Sequence, residues 1–536
     1  MHEFVALYMA LDATTRTHAK LRALAAYFAA APPLDAAWAA YFLTGHTLKR
    51  VIRRADLKRA AIEASATPEW LFDACHETVG DFAETVALLL PGATSRSEAS
   101  LAHWIEAQIA PLAHAAPGEV EARLRQCWSE LDRDGRLVFG KLLTGAFRVG
   151  VGRELVHRAL AQLAGVAAGD VAQALAGDWR PSASFWQRVR GEEAADAQAR
   201  MHRPYPFCLA HALDADLAQL GAPEQWQVEW KWDGVRAQLV ARGHALSIWS
   251  RGEELVSEQF PEIIAAARAL PSGTVIDGEL VAWPATELHP KPFAALQRRL
   301  GRKDPNTSLQ RELPVKLLAY DLLEDEAQDI RAMPLVARRE RLEGLLRATP
   351  GIAGVIVISP PLPNASWEEV RALRARAREH AAEGLMLKRR DSAYGSGRTR
   401  GVWWKWKTEP FTVDAVLMYA QPGSGRRASL YTDYTFGVWH EGALVAFAKA
   451  YSGLSDDELI AADRWIRAHT LEKFGPVRSV APELVFELAF EGIQLSKRHK
   501  SGIAVRFPRI VRWRRDKPAS EADTLHSVRA LATVTP

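Results

Sequence analysis

The chain has 536 residues, 48% hydrophobic and 25% charged, with a formal net charge of +4. That length suits roughly two to four globular domains, and the composition excludes a disordered or fibrous chain. Cys75, Cys127 and Cys208 are too scattered for a disulfide framework or a four-cysteine zinc site, and no apolar run reaches the roughly 18 residues of a membrane span. The N-terminus lacks a basic segment followed by an apolar core, so a reduced, soluble, cytoplasmic protein is expected. The pI near 8.9 leaves room for local basic faces, but charge alone argues weakly for nucleic acid.

Residues 1–200 are expected to be all-helical. Ala and Leu dominate, and Ala31-Pro32-Pro33, Leu90-Pro91-Gly92 and Ala116-Pro117-Gly118 punctuate the segments. Phe82, Val86 and Leu89 fall at helical spacing, which predicts an amphipathic helix beginning near Gly80-Asp81. Between Lys141 and Arg153, the cations Lys141, Arg148 and Arg153 alternate with Gly145, Gly150 and Gly152. Such a junction allows close backbone approach to a phosphate, or else is a tight turn with solvated cations. Pro204 and Pro206 favour an extended connection, so a boundary is placed near residue 200.

From about residue 205 to 410 short strands alternate with helices, an α/β pattern. Trp226, Val228, Trp230 and Trp232 alternate with Gln225, Gln227, Glu229 and Lys231, which predicts a strand with one packed face and one polar face. Asp233-Gly234 breaks it, and Val235–Val240 resumes with Arg236 on one face. An amine projecting into a polar cleft is a candidate nucleophile, although an isolated lysine on such a strand is ordinarily surface. Asp277 and Glu279, two apart on the next apolar strand, could converge on a metal or a sugar hydroxyl. Tyr320 interrupts another apolar strand beside Asp321 and could stack on a base or simply lie in the core. Glu383-Gly384 opens a strand that ends at Lys388, and Lys405 and Lys407 share a face backed by Trp404 and Trp406, an arrangement suited to a polyphosphate. Beyond Thr408-Glu409-Pro410 alternating segments with hairpin turns suggest a small β-barrel over 409–536, ending in the basic stretch Arg506–Lys517.

As an ordered set these strings resemble a known family. Lys231-Trp-Asp-Gly234, Ser250-Arg251-Gly252, Asp277-Gly-Glu279, Tyr320-Asp321, Glu383-Gly384 and Lys405-Trp-Lys407 resemble motifs I, Ia, III, IIIa, IV and V of the covalent nucleotidyltransferases. Arg506–Lys517 resembles motif VI of ATP-dependent DNA ligases, and Val79-Gly80-Asp81 and Arg148-Val-Gly150 are similar to the helical DNA-binding domain of multidomain DNA ligases. The resemblance covers essentially the whole chain and is to the bacterial three-domain form. It implies a helical DNA-binding domain (1–200), an α+β adenylation domain of ATP-grasp-like nucleotidyltransferase type (201–408) and an OB-fold β-barrel (409–536).

The same resemblance implies roles. Lys231 would attack the α-phosphorus of ATP to give lysine–AMP. Glu229, Arg236, Arg251, Glu279, Tyr320, Lys405, Lys407, Arg514 and Lys517 would bind nucleotide, with Tyr320 stacking on adenine, Arg236 and Arg251 near ribose and phosphate, and Arg514 and Lys517 orienting pyrophosphate. Glu279 and Glu383 would hold Mg²⁺, for which Mn²⁺ could substitute. Lys141, Arg148 and Arg153 would contact DNA, and Thr408, Glu409 and Pro410 would form the hinge by which the barrel closes over the pocket and swings away. The implied partner is nicked duplex DNA, encircled by a monomer in the cytoplasm at the nucleoid, with no membrane and with protein partners unknown. RNA ligases and capping guanylyltransferases use a similar intermediate, NAD is an alternative adenylate donor, and a DNA-binding scaffold with a dead transferase fold is the rival of another class.

Overall fold

The computed structural model describes residues 1–14, 16–48, 51–79, 81–95, 97–147, 149–176, 179–192, 201–214, 216–302, 304–423, 430–496 and 499–533. The chain divides into two compact units, one of Met1–Leu163, Pro181–Trp186 and Pro410–Val534, the other of Ala164–Arg180 and Gln187–Glu409. The helices before residue 164 therefore group with the C-terminal β-rich region, and the segment Ala164–Arg180 groups with the central one.

The N-terminal part of the first unit is helical, as its Ala- and Leu-rich pattern predicts. Helix α1 (Phe82–Leu89) starts where expected: the Asp81 carboxylate accepts a hydrogen bond from the Glu84 amide at 3.0 Å, which caps the helix. Its buried face is Phe82, Ala83 and Val86, with Leu89 only half-buried. Helix α2 (Arg133–Thr144) ends at Gly145, whose φ of 67° supplies the left-handed cap, and α3 (Arg153–Ala164) follows.

The central unit is built on two sheets. Strand β1 (Trp226–Trp232) lies between Pro361–Leu362 and β6 (Ala382–Arg389) in the first sheet, which continues through β7 (Trp403–Lys407) to His211–Ala212. In the second, β2 (Val235–Arg242) lies between β3 (Ala245–Ser250) and β4 (Thr274–Ala282), and β5 (Val315–Asp325) pairs with β4. Asp233-Gly234 thus carries the chain from one sheet to the other. A Cβ on Gly234 would lie 2.3 Å from the Leu280 carbonyl oxygen, so only glycine permits this crossing. The Trp face of β1 packs with Val281, Leu318, Leu385 and Leu387. The opposite face, expected to be a polar cleft wall, is closed over Gln227 and Glu229, and within β1 only Lys231 on that face retains appreciable exposure, Gln225 being exposed just before the strand.

In the C-terminal region β8 (Phe411–Pro422) pairs with β9 (Tyr431–His440), and β9 with β10 (Ala443–Ala450). Glu441 and Gly442, with φ of 51° and 80°, make the two-residue turn anticipated between β9 and β10. β8 also pairs with β11 (Val477–Val480) and β12 (Val485–Phe490), and β12 with β13 (Arg509–Trp513). Their inner faces bury Val413, Ala415, Leu417, Phe436, Phe486 and Leu488 with helix Asp456–Ala468, whose first turn carries a full Ser455/Glu458 capping box. Among the described residues no helix is long and apolar enough to cross a membrane.

Candidate active site

Lys231 stands at the end of β1, where the two sheets meet. Its Nζ donates to Glu383 Oε2 at 2.5 Å, and Lys407 Nζ lies 3.8 Å from the same oxygen. Glu383 reaches it through a bulge: β6 spends three steps between Ala382 and Leu385 where β1 spends two between Trp232 and Trp230. Gly384 completes that bulge with φ 146°, and a Cβ there would meet the Trp406 carbonyl oxygen at 2.3 Å. Burial acts to raise the Glu383 carboxyl, but Lys231, its hydrogen bond and Lys407 outweigh it and bring the group down to about 2. It is therefore an anion throughout the neutral range.

Glu279 behaves oppositely. Burial, only partly offset by Lys231 and Arg236, pushes its carboxyl up to about 7, and Glu383 and Asp277 add to the rise. Because this lies above the ordinary 4.5, ionising Glu279 costs folding stability as pH climbs from that value toward 7. If the carboxylate form is what serves nucleotide and metal, adenylation should rise with pH through an inflection near neutrality. The Glu279→Gln variant should be slower and lack that inflection, as initial rates across pH 5.5–8.5 would reveal. An unchanged inflection in the variant would assign it to another group.

Lys405 and Lys407 lie on β7, paired with Met386 and Gly384 of β6. The Lys405 ammonium is pushed below its ordinary value by burial first, then by Arg398, Lys231, Lys407 and Arg251. Four cations besides Lys405 itself thus converge on its surroundings. Arg398 was not anticipated; the only signal for it was a cation within the Gly395-Ser-Gly-Arg-Thr-Arg run. Arg251 is exposed on the turn after β3, its amide bonded to the Arg236 carbonyl at 3.0 Å.

Other expected site residues are committed differently. Asp277 and Glu279 share a face of β4 but differ in their partners. Asp277 is fully buried, taking Arg236 in a two-point contact at 2.7 and 3.2 Å and hydrogen bonds from Tyr394 at 2.7 Å and Tyr320 at 3.3 Å. Arg236 also donates to the Cys208 carbonyl at 2.5 Å, so its guanidinium is engaged by protein acceptors. Tyr320 sits at a bulge of β5 against β4, nearly buried, with Lys388 Nζ 3.8 Å from its ring centroid.

Glu229 is the largest departure from expectation. It is 1% exposed and accepts from Lys388 at 3.0 Å, from Arg339 at 3.4 Å and from Gln227. Arg339 further donates to the Tyr320 carbonyl at 3.3 Å and to that of Ser359, whose hydroxyl accepts from Trp232 at 3.0 Å. Strand β1 is thereby tied by side chains on both of its faces. Gln227 and Arg339 carried no signal, because neither belongs to a motif.

The candidate DNA contacts lie in the first unit. Lys141 is ion-paired with the α1 cap Asp81, and Arg153 donates to the Thr44 carbonyl at 2.6 Å. Both cations serve the helical packing in this conformation. Arg148 lies outside the described residues.

Three family profiles match in order: "DNA ligase N terminus" over residues 1–161, "ATP dependent DNA ligase domain" over 208–407 and "ATP dependent DNA ligase C terminal region" over 427–517. A Koribacter versatilis protein named "Probable DNA ligase" is 31% identical, covering 96% of this chain and 94% of its own length. The chain belongs to the ATP-dependent DNA ligase family. A Natronomonas pharaonis "DNA ligase" is 32% identical over 82% of this chain and 80% of its own. A solved structure named "Pmar-Lig_PreS3" covers 95% of this chain and 99% of its own at TM-score 0.60 and 14% identity, a likeness of fold.

The family implies a divalent cation, and the donor set can be tested against it. Glu383 contacts Lys231 and raises the Glu279 carboxyl, which Lys231 in turn lowers, but among the described residues no group of three or more His, Cys, Asp or Glu is placed to hold a metal. Two hard carboxylates without a protein cage suit Mg²⁺ completed by phosphate oxygens and water.

Proposed function

We propose that this DNA ligase seals nicks carrying a 5′-phosphate and a 3′-OH in duplex DNA, using Lys231 as the nucleophile. The observation carrying the assignment is the Lys231–Glu383 contact at the junction of the two sheets, beside Lys405 and Lys407. Lys231 Nζ forms a bond to the α-phosphorus of ATP as the bond to pyrophosphate breaks. The bonding pair leaves with pyrophosphate, and the amine proton is lost to solvent. Lys405 and Lys407 hold the α-phosphate, aided by Arg251. Tyr320 offers its ring to adenine and Glu279 a carboxylate to the ribose or to Mg²⁺. Mg²⁺, or Mn²⁺ in its place, held by Glu383 and Glu279, would offset phosphate charge when bound. Arg514 and Lys517 orient the leaving pyrophosphate. The adenylate then passes to the nick 5′-phosphate, and the 3′-OH displaces AMP.

Arg236 and Glu229 act in this reading from behind the nucleotide, through Asp277 and through Lys388. The domain division 1–200, 201–408 and 409–536, an OB-fold for the last, Thr408–Pro410 as hinge, and a cytoplasmic, nucleoid-associated monomer encircling DNA belong to the same reading. DNA binding through Lys141, Arg148 and Arg153 would be sequence-independent and salt-sensitive.

A sealing assay tests it. Nicked duplex DNA should be joined with ATP and Mg²⁺, not with NAD, and faster than a nicked RNA duplex. Preferential joining of RNA would favour the RNA ligase reading instead.

A further inference from the structure

Asp414 is an acid in an apolar strand. On β8 it lies between Val413 and Ala415, both in the core, while its own face carries the exposed Thr412 on one side and the fully buried Val416 on the other, with Glu487 of β12 directly opposite. A carboxylate buried there, facing a like charge across the strands, is costly unless it is paired. Its partners are two cations of the basic C-terminal stretch. Arg514 Nη1 and Lys517 Nζ each donate to Asp414 Oδ2 at 2.8 Å, while Oδ1 is buried and makes no hydrogen bond. The backbone beneath is pinned as well: the Asp414 amide donates to Asp523 Oδ2 at 2.8 Å, and the Asp523 amide to the Asp414 carbonyl at 2.9 Å. Arg514 is further braced by Asp516, with Nη2 2.9 Å from Oδ2.

From this arrangement we infer that Asp414 is a positioning residue that gathers Arg514 and Lys517 into one preset cation pair for the pyrophosphate. The inference rests on the reading of those two residues as leaving-group contacts. A guanidinium and an ammonium would otherwise repel each other, and both side chains are long and rotamer-rich. A single carboxylate oxygen shared between them lowers that repulsion and fixes their spacing before the triphosphate arrives. Preorganised donors cost no reorganisation at the moment charge develops on the leaving group. The accepting oxygen can be exchanged for a phosphate oxygen of the same charge, so the pair is both held and releasable.

The test separates steps on the full chain. In Asp414→Asn, the maximal rate of lysine adenylation should fall about ten- to a hundredfold, with the KM for ATP not raised. Discharge of pre-labelled enzyme by added pyrophosphate should slow by the same factor, because it crosses the same transition state. Sealing of a nick that already carries AMP involves no pyrophosphate and should stay within about twofold of the parent, as should the melting temperature within a few degrees. Equal slowing of all three reactions, or a collapsed melting temperature, would make Asp414 a purely structural residue and overturn the inference. Arg514→Ala and Lys517→Ala serve as the reference. If they slow adenylation and Asp414→Asn does not, the positioning role fails alone. If neither slows it, the leaving-group reading fails and this inference with it.

Discussion

Lys231→Ala is expected to leave no acid-labile label when the protein is incubated with α-labelled ATP and Mg²⁺ and then denatured. Every other group near the lysine can be lost in part, because in the proposed reading several cations and two carboxylates share the work of holding phosphate and metal. The covalent bond has no such redundancy. Lys405 is already below its ordinary value through burial and surrounding positive charge, and it sits across the β6–β7 pairing rather than on the bulged junction with Glu383. It is therefore the obvious substitute nucleophile, and the prediction is that it does not act as one. Label retained in Lys231→Ala but lost in Lys405→Ala would reverse the assignment. The effect should be confined to the first step: a pre-adenylated nick should still be joined by Lys231→Ala, although more slowly, since Lys405, Lys407 and the carboxylates remain.

The position of Lys231 was legible because two independent signals coincide in the sequence. Period-two alternation gives the strand and the face, and the order of the surrounding motifs gives the family. The alternation places Asp277 and Glu279 on one face of β4, where both feel Arg236, but it could not show that Arg236, Tyr320 and Tyr394 take up Asp277 while Glu279 stands near Lys231. Bulges leave little trace in composition, so neither the Glu383 projection nor the Tyr320 offset could be read before the strands were paired. Lys141 shows a different limit. A cation among glycines is compatible with phosphate, but the Asp81 it pairs with is sixty positions away, at the start of another helix. Long-range ion pairs between residues outside a shared motif have no local pattern. Asp414 is the extreme case, a single acid in an apolar strand whose partners lie a hundred residues later.

The second large effect is expected at Lys388, in stability rather than chemistry. Its ammonium is 1% exposed, pulled below its ordinary value by burial against the attraction of Glu229 and Asp321, and lies over the rings of Tyr320 and Trp403 at 3.8 and 4.6 Å. Lys388→Met keeps the volume and removes the charge, leaving Glu229 buried with Arg339 and Gln227. Breaking a buried pair in this way should cost about 3 kcal/mol, the lower end of the usual range because Arg339 remains. For a unit of this size that lowers the melting temperature by about 6 °C or more. Glu229→Gln alone should cost comparably, since it strands Lys388. Together the two substitutions should cost clearly less than their sum, with a coupling of about 1–3 kcal/mol, because the second change removes the charge the first left unpaired. Additive losses in that cycle would show that Glu229 and Lys388 are energetically independent and that the 3.0 Å contact carries no stability. Adenylation should slow in each single variant and partly recover in the double one, because Glu229 is two residues from Lys231 on the same strand face. The network that stabilises the strand also holds the backbone that carries Lys231, so stability and first-step rate should fall and recover together.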